Sequence, residues 1–150
     1  MAKKPAILLT IDVEEWFQVE NFKSYIDFST WNSLEPRVEK NTHLILDLLD
    51  TFSFKPRATF FILGWIAERL PALVRQIRDR GHEVASHGDN QHLCTDLNKN
   101  QLTRDLLTSK KRLEDITGQA VYGYRAPSFA VNDQILKKIK QAGYLYDSSY

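Results

Sequence analysis

Short apolar runs alternate with segments of helical period along this chain, and the alternation predicts a repeated strand–helix order. The strand candidates are Ala6 to Ile11, Ala58 to Leu63, His82 to Ser86, Val121 to Arg125 and Tyr144 to Asp147. Between them the spacing predicts helices near Val38 to Phe52, Pro71 to Arg80, Gln101 to Thr117 and Asp133 to Ala142. In the last of these, Ile135, Leu136, Ile139 and Ala142 form one stripe, which is read as core. The punctuation agrees with these limits: Pro71 suits a first helical position, Gly81, Gly118 and Gly143 suit C-terminal caps, and Asn132 can cap the last helix. Repeated βα units imply an α/β fold with a parallel sheet and right-handed crossovers. Such sheets and barrels place function at the carboxyl ends of their strands. Asp12 and Glu14 follow the first run, His87 follows the third, and Arg125 with Pro127 follows the fourth, so residues far apart in sequence are expected to converge.

One long connection stands out. Glu15 to Pro36 carries Trp16, Phe17, Phe22, Tyr25, Phe28 and Trp31. Aromatics beside a catalytic strand end could stack on sugar rings or could cover the barrel mouth as a local cluster; a loop of this length needs its own packing, which favours the cover. No internal repeat, low-complexity tract or linker divides the 150 residues, so one domain is expected, large enough to bury about 70% of its unfolded surface.

A formal net charge of +1, with acids and bases interspersed, makes nucleic acid an unsuitable partner. The single cysteine, Cys94, cannot form an internal disulfide; it reads as a buried small hydrophobe in a reducing compartment. Lys3 and Lys4 precede an apolar run that Asp12 interrupts, too short for a signal peptide or a membrane span, and the chain is expected to be cytoplasmic.

The candidate chemistry lies in three ordered segments: Thr10-Ile-Asp-Val-Glu-Glu15, Gly81-His-Glu-Val-Ala-Ser-His-Gly-Asp-Asn-Gln-His92 and Tyr124-Arg-Ala-Pro-Ser-Phe129. Two imidazoles and a carboxylate are a usual catalytic zinc set, because three protein ligands leave a fourth position open. The competing reading is that His87 and His92 belong to a solvated turn, Asp12 to a turn or helix cap, and Arg125 to an ordinary surface ion pair. His82 opens its strand far from such a site and reads as structural, and His43 lies in the first helix.

With these segments in this order, the chain resembles the NodB-homology polysaccharide deacetylases of carbohydrate esterase family 4, and especially exopolysaccharide-biosynthesis members with an Asp-Val-Glu start. The resemblance runs from Leu8 to Ser149. It implies a distorted (β/α) barrel, of which about five βα units are visible here, truncated before the later strands. It also implies a metal-dependent hydrolase, most simply a zinc enzyme, that removes N-acetyl groups from amino sugars of a polysaccharide or its precursor. By the resemblance, Asp12 is the general base and Glu14, His87 and His92 hold the metal. Positions 12 and 14 share one face of a strand, with Glu15 as a fallback ligand if the chain bends. Arg125 would pair with Asp12 and favour its charged form, and the Ser128 N–H would donate to the oxyanion.

Two departures bear on turnover. The family pattern is His-x-x-x-His, whereas here Gln91 and His92 stand as if exchanged. On a helical turn a five-residue separation diverges by roughly 140°. Such a turn would aim His92 away; a looser loop through Gly88, Asp89 and Asn90 could bring it in, or Asp89 could substitute, while Gln91 would be a poor zinc ligand. The family's late Leu-x-His general acid is also absent from these residues. A degenerate carbohydrate-binding module and a non-catalytic structural remnant therefore stand beside the enzyme reading. Metal identity among Zn, Co, Mn and Ni, the exact substrate and the oligomeric state stay open.

Overall fold

The computed structural model describes residues 6–150; Lys3 and Lys4 lie outside the described residues. Five strands, β1 (Leu9–Val13), β2 (Ala58–Ile62), β3 (Glu83–Ser86), β4 (Gly123–Tyr124) and β5 (Tyr146–Asp147), pair in parallel and lie side by side in sequence order. Helices connect them: α1 (Val38–Thr51) follows β1, α2 (Gly64–Arg69) and α3 (Pro71–Asp79) follow β2, α4 (Lys99–Thr117) follows β3, and α5 (Asp133–Gln141) follows β4. This is the expected α/β fold with a parallel sheet, forming part of a barrel wall that does not close on itself.

Burial explains the strand pattern. In β2, Phe60, Phe61 and Ile62 are all buried, as a strand covered on both faces requires, so its run reads as continuous rather than alternating. The helices press narrower stripes on the sheet: Leu46 and Leu49 from α1, Leu73, Val74 and Ile77 from α3, and Leu102, Leu106 and Leu113 from α4. Ile135 and Ile139 of α5 are buried while Leu136 and Ala142 lie at the edge of its stripe.

Several boundaries differ from the sequence expectation. β1 begins at Leu9, because its register starts where Leu9 meets Ala58; Ile7 and Leu8 are exposed, and Asp12 lies within the strand rather than after it. α4 starts two residues early at Lys99, since Asn98 accepts the N–H groups of Asn100 and Gln101 and Gln101 answers with a bond to the Asn98 N–H. α2 was not expected at all. Its residues Trp65, Ile66 and Ala67 are buried, and Leu63 gives it no side-chain cap, so nothing separates it from the apolar run of β2. β4 and β5 each shrink to two paired residues.

The aromatic connection folds into two 3-10 turns, Glu20–Phe22 and Phe28–Ser33, over a shared cluster. Trp31 lies 5.8 Å from Phe17 and 5.7 Å from Trp65, ring centre to ring centre, with Phe28 at 4.6 Å. The loop thus packs as a cover, with Phe17 and Trp31 buried and Tyr25 exposed. Cys94 is buried as expected, its Sγ 3.2 Å from the Tyr124 hydroxyl. Among the described residues no helix is long and apolar enough to cross a membrane.

Candidate active site

The alternation of β1 places Thr10 and Asp12 on one face, and Glu14 follows just past its carboxyl end. Arg125, just past β4, reaches across to two of them. Its guanidinium donates to Asp12 Oδ1 at 2.8 Å and to Thr10 Oγ1 at 3.1 Å. It also donates to the Ser148 side chain at 2.8 Å and to the Ser148 carbonyl at 3.2 Å. The planar group lies 4.2 Å from the Phe61 ring centre. Arg125 is therefore a brace between β1 and the segment after β5. Its engagement of Asp12 Oδ1 fixes that carboxylate.

The Arg125 backbone orients a second group. His87, 2% exposed, has Nδ1 at 2.8 Å from the Arg125 carbonyl oxygen. A carbonyl only accepts, so Nδ1 carries the proton and the Nε2 lone pair faces the cavity. Burial pulls the His87 pKa down and outweighs the nearby Asp12 charge and the carbonyl hydrogen bond, which both favour the imidazolium. The free Nε2 lies 3.8 Å from Glu14 Oε2. Glu14 itself is pushed up to about 7, mainly by burial and then by the charge of Asp12, while the adjacent Gln91 amide opposes the shift.

Asp12, Glu14, His87, Gln91, Ser128 and Phe129 meet around a cavity of about 200 Å³. Ser128 sits there in a left-handed conformation (φ 52°), forced by the tight turn after Pro127. Two polar atoms at this cavity are buried without any hydrogen-bond partner, Glu14 Oε2 and Gln91 Oε1.

The loop from His87 to His92 departs from the expectation for His92. The first N–H groups of α2 hold it: Gly64 donates to the Gly88 carbonyl at 2.9 Å and Trp65 to the Asp89 carbonyl at 2.8 Å. A Cβ at position 64 would run into the Asp89 carboxylate and stand 3.1 Å from Asp89 Cα, so any larger residue there would displace the Asp89 side chain from its pairing with Arg112. The Asp89 carboxylate pairs with Arg112, away from the cavity, which removes it as a substitute ligand. Gln91 then passes through a left-handed conformation (φ 57°) and lines this cavity as well as the neighbouring one under the aromatic cover. His92 follows on the outside, exposed, beside a separate cavity of about 220 Å³ under the aromatic cover. The structure thus brings Glu14 and His87 together and leaves His92 out.

Glu15 is no fallback ligand either. It is 1% exposed and accepts the Arg37 and Val38 N–H groups, capping α1 from the loop. His82 is structural as expected: its Nδ1 accepts the Ala58 N–H at 3.2 Å. His43 bonds Gln76 at 2.6 Å. Among the described residues no group of three or more His, Cys, Asp or Glu could hold a metal ion. The cavity nonetheless fits a divalent cation in part. One imidazole nitrogen with a free lone pair, one carboxylate oxygen lacking a partner and one amide oxygen lacking a partner are donors that a cation would satisfy.

Sequence reasoning did not find the cavity-facing role of Gln91 or the Thr10 and Ser148 contacts of Arg125. Thr10 was legible through its two-residue spacing from Asp12; Ser148 had no signal.

Comparison with known proteins places these features in context. A family model described as polysaccharide deacetylase matches residues 2–146. A peptidoglycan-N-acetylglucosamine deacetylase of Bacillus cereus is 35% identical over 103 residues, covering 69% of this chain and 47% of that protein. A peptidoglycan deacetylase-like protein of Gibberella zeae is 33% identical over 106 residues, covering 70% of this chain and 31% of that protein. The chain thus spans less than half the length of either relative. A candidate polysaccharide deacetylase from Mycobacterium smegmatis, of known structure, superposes with a TM-score of 0.77 at 27% identity, covering 95% of this chain and 50% of that one. A carbohydrate esterase family 4 pseudoenzyme from Bacillus anthracis shares the fold, with a TM-score of 0.71 at 18% identity over 93% of this chain and 41% of that one.

Proposed function

The chain belongs to the polysaccharide deacetylase family, and from that premise we propose that it contributes the catalytic face of a metal-dependent hydrolase removing N-acetyl groups from the amino sugars of a glycan. The curated relatives are named for peptidoglycan, which supports an N-acetylated cell-wall or envelope polysaccharide as substrate class. The Asp12-Val13-Glu14 start is the feature that supports an exopolysaccharide precursor within that class. One observation carries the reading: Arg125 fixes Asp12 beside the same cavity that receives the free Nε2 of His87 and the unpartnered oxygen of Glu14.

The residues divide the work by their geometry. Arg125 engages Asp12 Oδ1, so Oδ2 is the oxygen left to take the proton of an attacking water. Ser128 lines the cavity, which supports a role for its backbone N–H as donor to the acetyl oxygen as negative charge develops. Glu14 and His87 would hold a divalent cation, which supplies Lewis acidity toward the acetyl carbonyl. Phe129 and the 3-10 turn at Glu20 form the rim of the cavity. Acetate release from N-acetylglucosamine oligomers tests this: the chain with added Zn²⁺ or Co²⁺ releases acetate, and Asp12→Asn and His87→Ala abolish the release. Equal release by Asp12→Asn would refute the assigned proton acceptor.

A second reading is glycan binding without turnover. Its favouring observation is Gln91 at the cavity with His92 outside. It predicts oligomer binding with no acetate.

A further inference from the structure

The geometry points to Gln91 as the third donor of the cation site, its side-chain oxygen standing where an imidazole is expected, with His92 taking no part. This rests on the proposed metal dependence and specifies which residue completes the site. Gln91 is 8% exposed, and its Oε1 is buried with no hydrogen-bond partner. A buried amide oxygen is normally paired; Gln91 lines the same cavity as Glu14, whose Oε2 is also bare, and two unpartnered oxygens on residues of one cavity mark a place where a ligand completes the bonding. His87 supplies the nitrogen, its tautomer already set by the Arg125 carbonyl.

The local backbone makes the exchange of roles between positions 91 and 92. The α2 N–H groups pin Gly88 and Asp89, Arg112 draws the Asp89 side chain outward, and the left-handed residue at 91 turns the following chain away from the cavity. His92 is exposed and lines the separate cavity under the aromatic cover, which Lys23 and Trp31 also line, and it is absent from the lining of the cavity that holds Glu14 and His87.

The donor class has a consequence for the ion. One imidazole, one carboxylate and one neutral amide oxygen form a harder and weaker set than two imidazoles and a carboxylate, so the site loses more affinity for Zn²⁺ than for Mn²⁺. Replacing the amide oxygen with imidazole reverses that.

Calorimetric titration of the chain with Zn²⁺ and separately with Mn²⁺ tests the assignment, using wild type, Gln91→Leu, Gln91→His, His92→Ala and His87→Ala. Circular dichroism confirms that each variant is folded. The expected result is one site per chain, at least about tenfold weaker in Gln91→Leu and unchanged in His92→Ala. Gln91→His tightens Zn²⁺ at least about tenfold while moving Mn²⁺ less. Wild-type binding that Gln91→Leu leaves intact, or that His92→Ala removes, overturns the role of Gln91 and leaves the metal-dependent reading standing. Binding by Gln91→His alone also overturns it. Absence of binding in wild type and Gln91→His alike overturns both.

Discussion

Arg125 offers the sharpest test of whether the site is built as described, because the sequence alone allows it to be an ordinary surface ion pair. Its side chain is 11% exposed and that of its partner Asp12 is 28% exposed, with 2.8 Å between them. An exposed pair of this kind couples by about 0–1 kcal/mol. At an effective dielectric of about 20, unit charges about 4 Å apart attract by about 4 kcal/mol, and desolvation cancels a large part of that. A coupling of about 2 kcal/mol is therefore expected for Asp12 with Arg125. The assay is a double-mutant cycle of Asp12→Asn, Arg125→Met and the double variant, each unfolded in urea. The two single variants are expected to differ. Asp12→Asn leaves Arg125 bound to Thr10 and Ser148, whereas Arg125→Met strips all of these contacts and the Phe61 stacking and leaves a half-buried carboxylate uncompensated. Arg125→Met should cost about 3–5 kcal/mol, and Asp12→Asn less. A coupling below about 0.5 kcal/mol, with equal single losses, would return Arg125 to the surface-pair reading and remove the brace from the site.

The sequence shows most of this architecture and misses the part that decides the chemistry, for identifiable reasons. β2, β3, α1, α3 and α5 are legible because each has a single period bounded by a residue of fixed conformational meaning, such as Pro71 before α3 or Asn132 before α5. α2 is illegible because its first four residues, Gly64 to Ala67, are all buried and continue the apolar run of β2, leaving only Glu68 and Arg69 as its polar positions. That omission propagates into the site, since the α2 N–H groups hold the loop that turns Gln91 inward. His87 could be placed from its strand end, and Asp12 from the same first strand although it lies within that strand and not after it. Position 91 against 92 could not, because it depends on a left-handed backbone that Gln does not advertise as Gly would. Ligand type pointed to His92, but the path of the backbone is what selects Gln91.

Two further predictions bear on the supports around the cavity. Glu15→Ala leaves the Arg37 and Val38 N–H groups of the α1 terminus unpaired in a buried place, and should cost about 2–3 kcal/mol in urea unfolding. The same variant should leave metal titration unchanged, and a lost metal site without lost stability would make Glu15 a ligand after all. Asp105 lies behind the loop, where its carboxylate accepts the Asp89 N–H at 3.2 Å. Its pKa is raised from 3.8 to about 7, chiefly by burial and further by the charge of Asp89, with the backbone N–H bonds opposing. Between those two values the folded chain keeps a proton that the unfolded chain has released. Stability is therefore lost as pH rises from about 4 to about 7, by up to about 1.4 kcal/mol per pH unit from this group, and levels off above. Asp105→Asn keeps one acceptor for the Asp89 N–H and has nothing to titrate. The difference between the two unfolding free energies should thus move in favour of Asp105→Asn as pH rises from 5 to 8, with Glu14 and His87 common to both proteins and cancelling. Parallel curves over that range would mean that water reaches Asp105, and that the loop carrying His87 and Gln91 is held by the α2 N–H groups without a buried carboxyl beneath it.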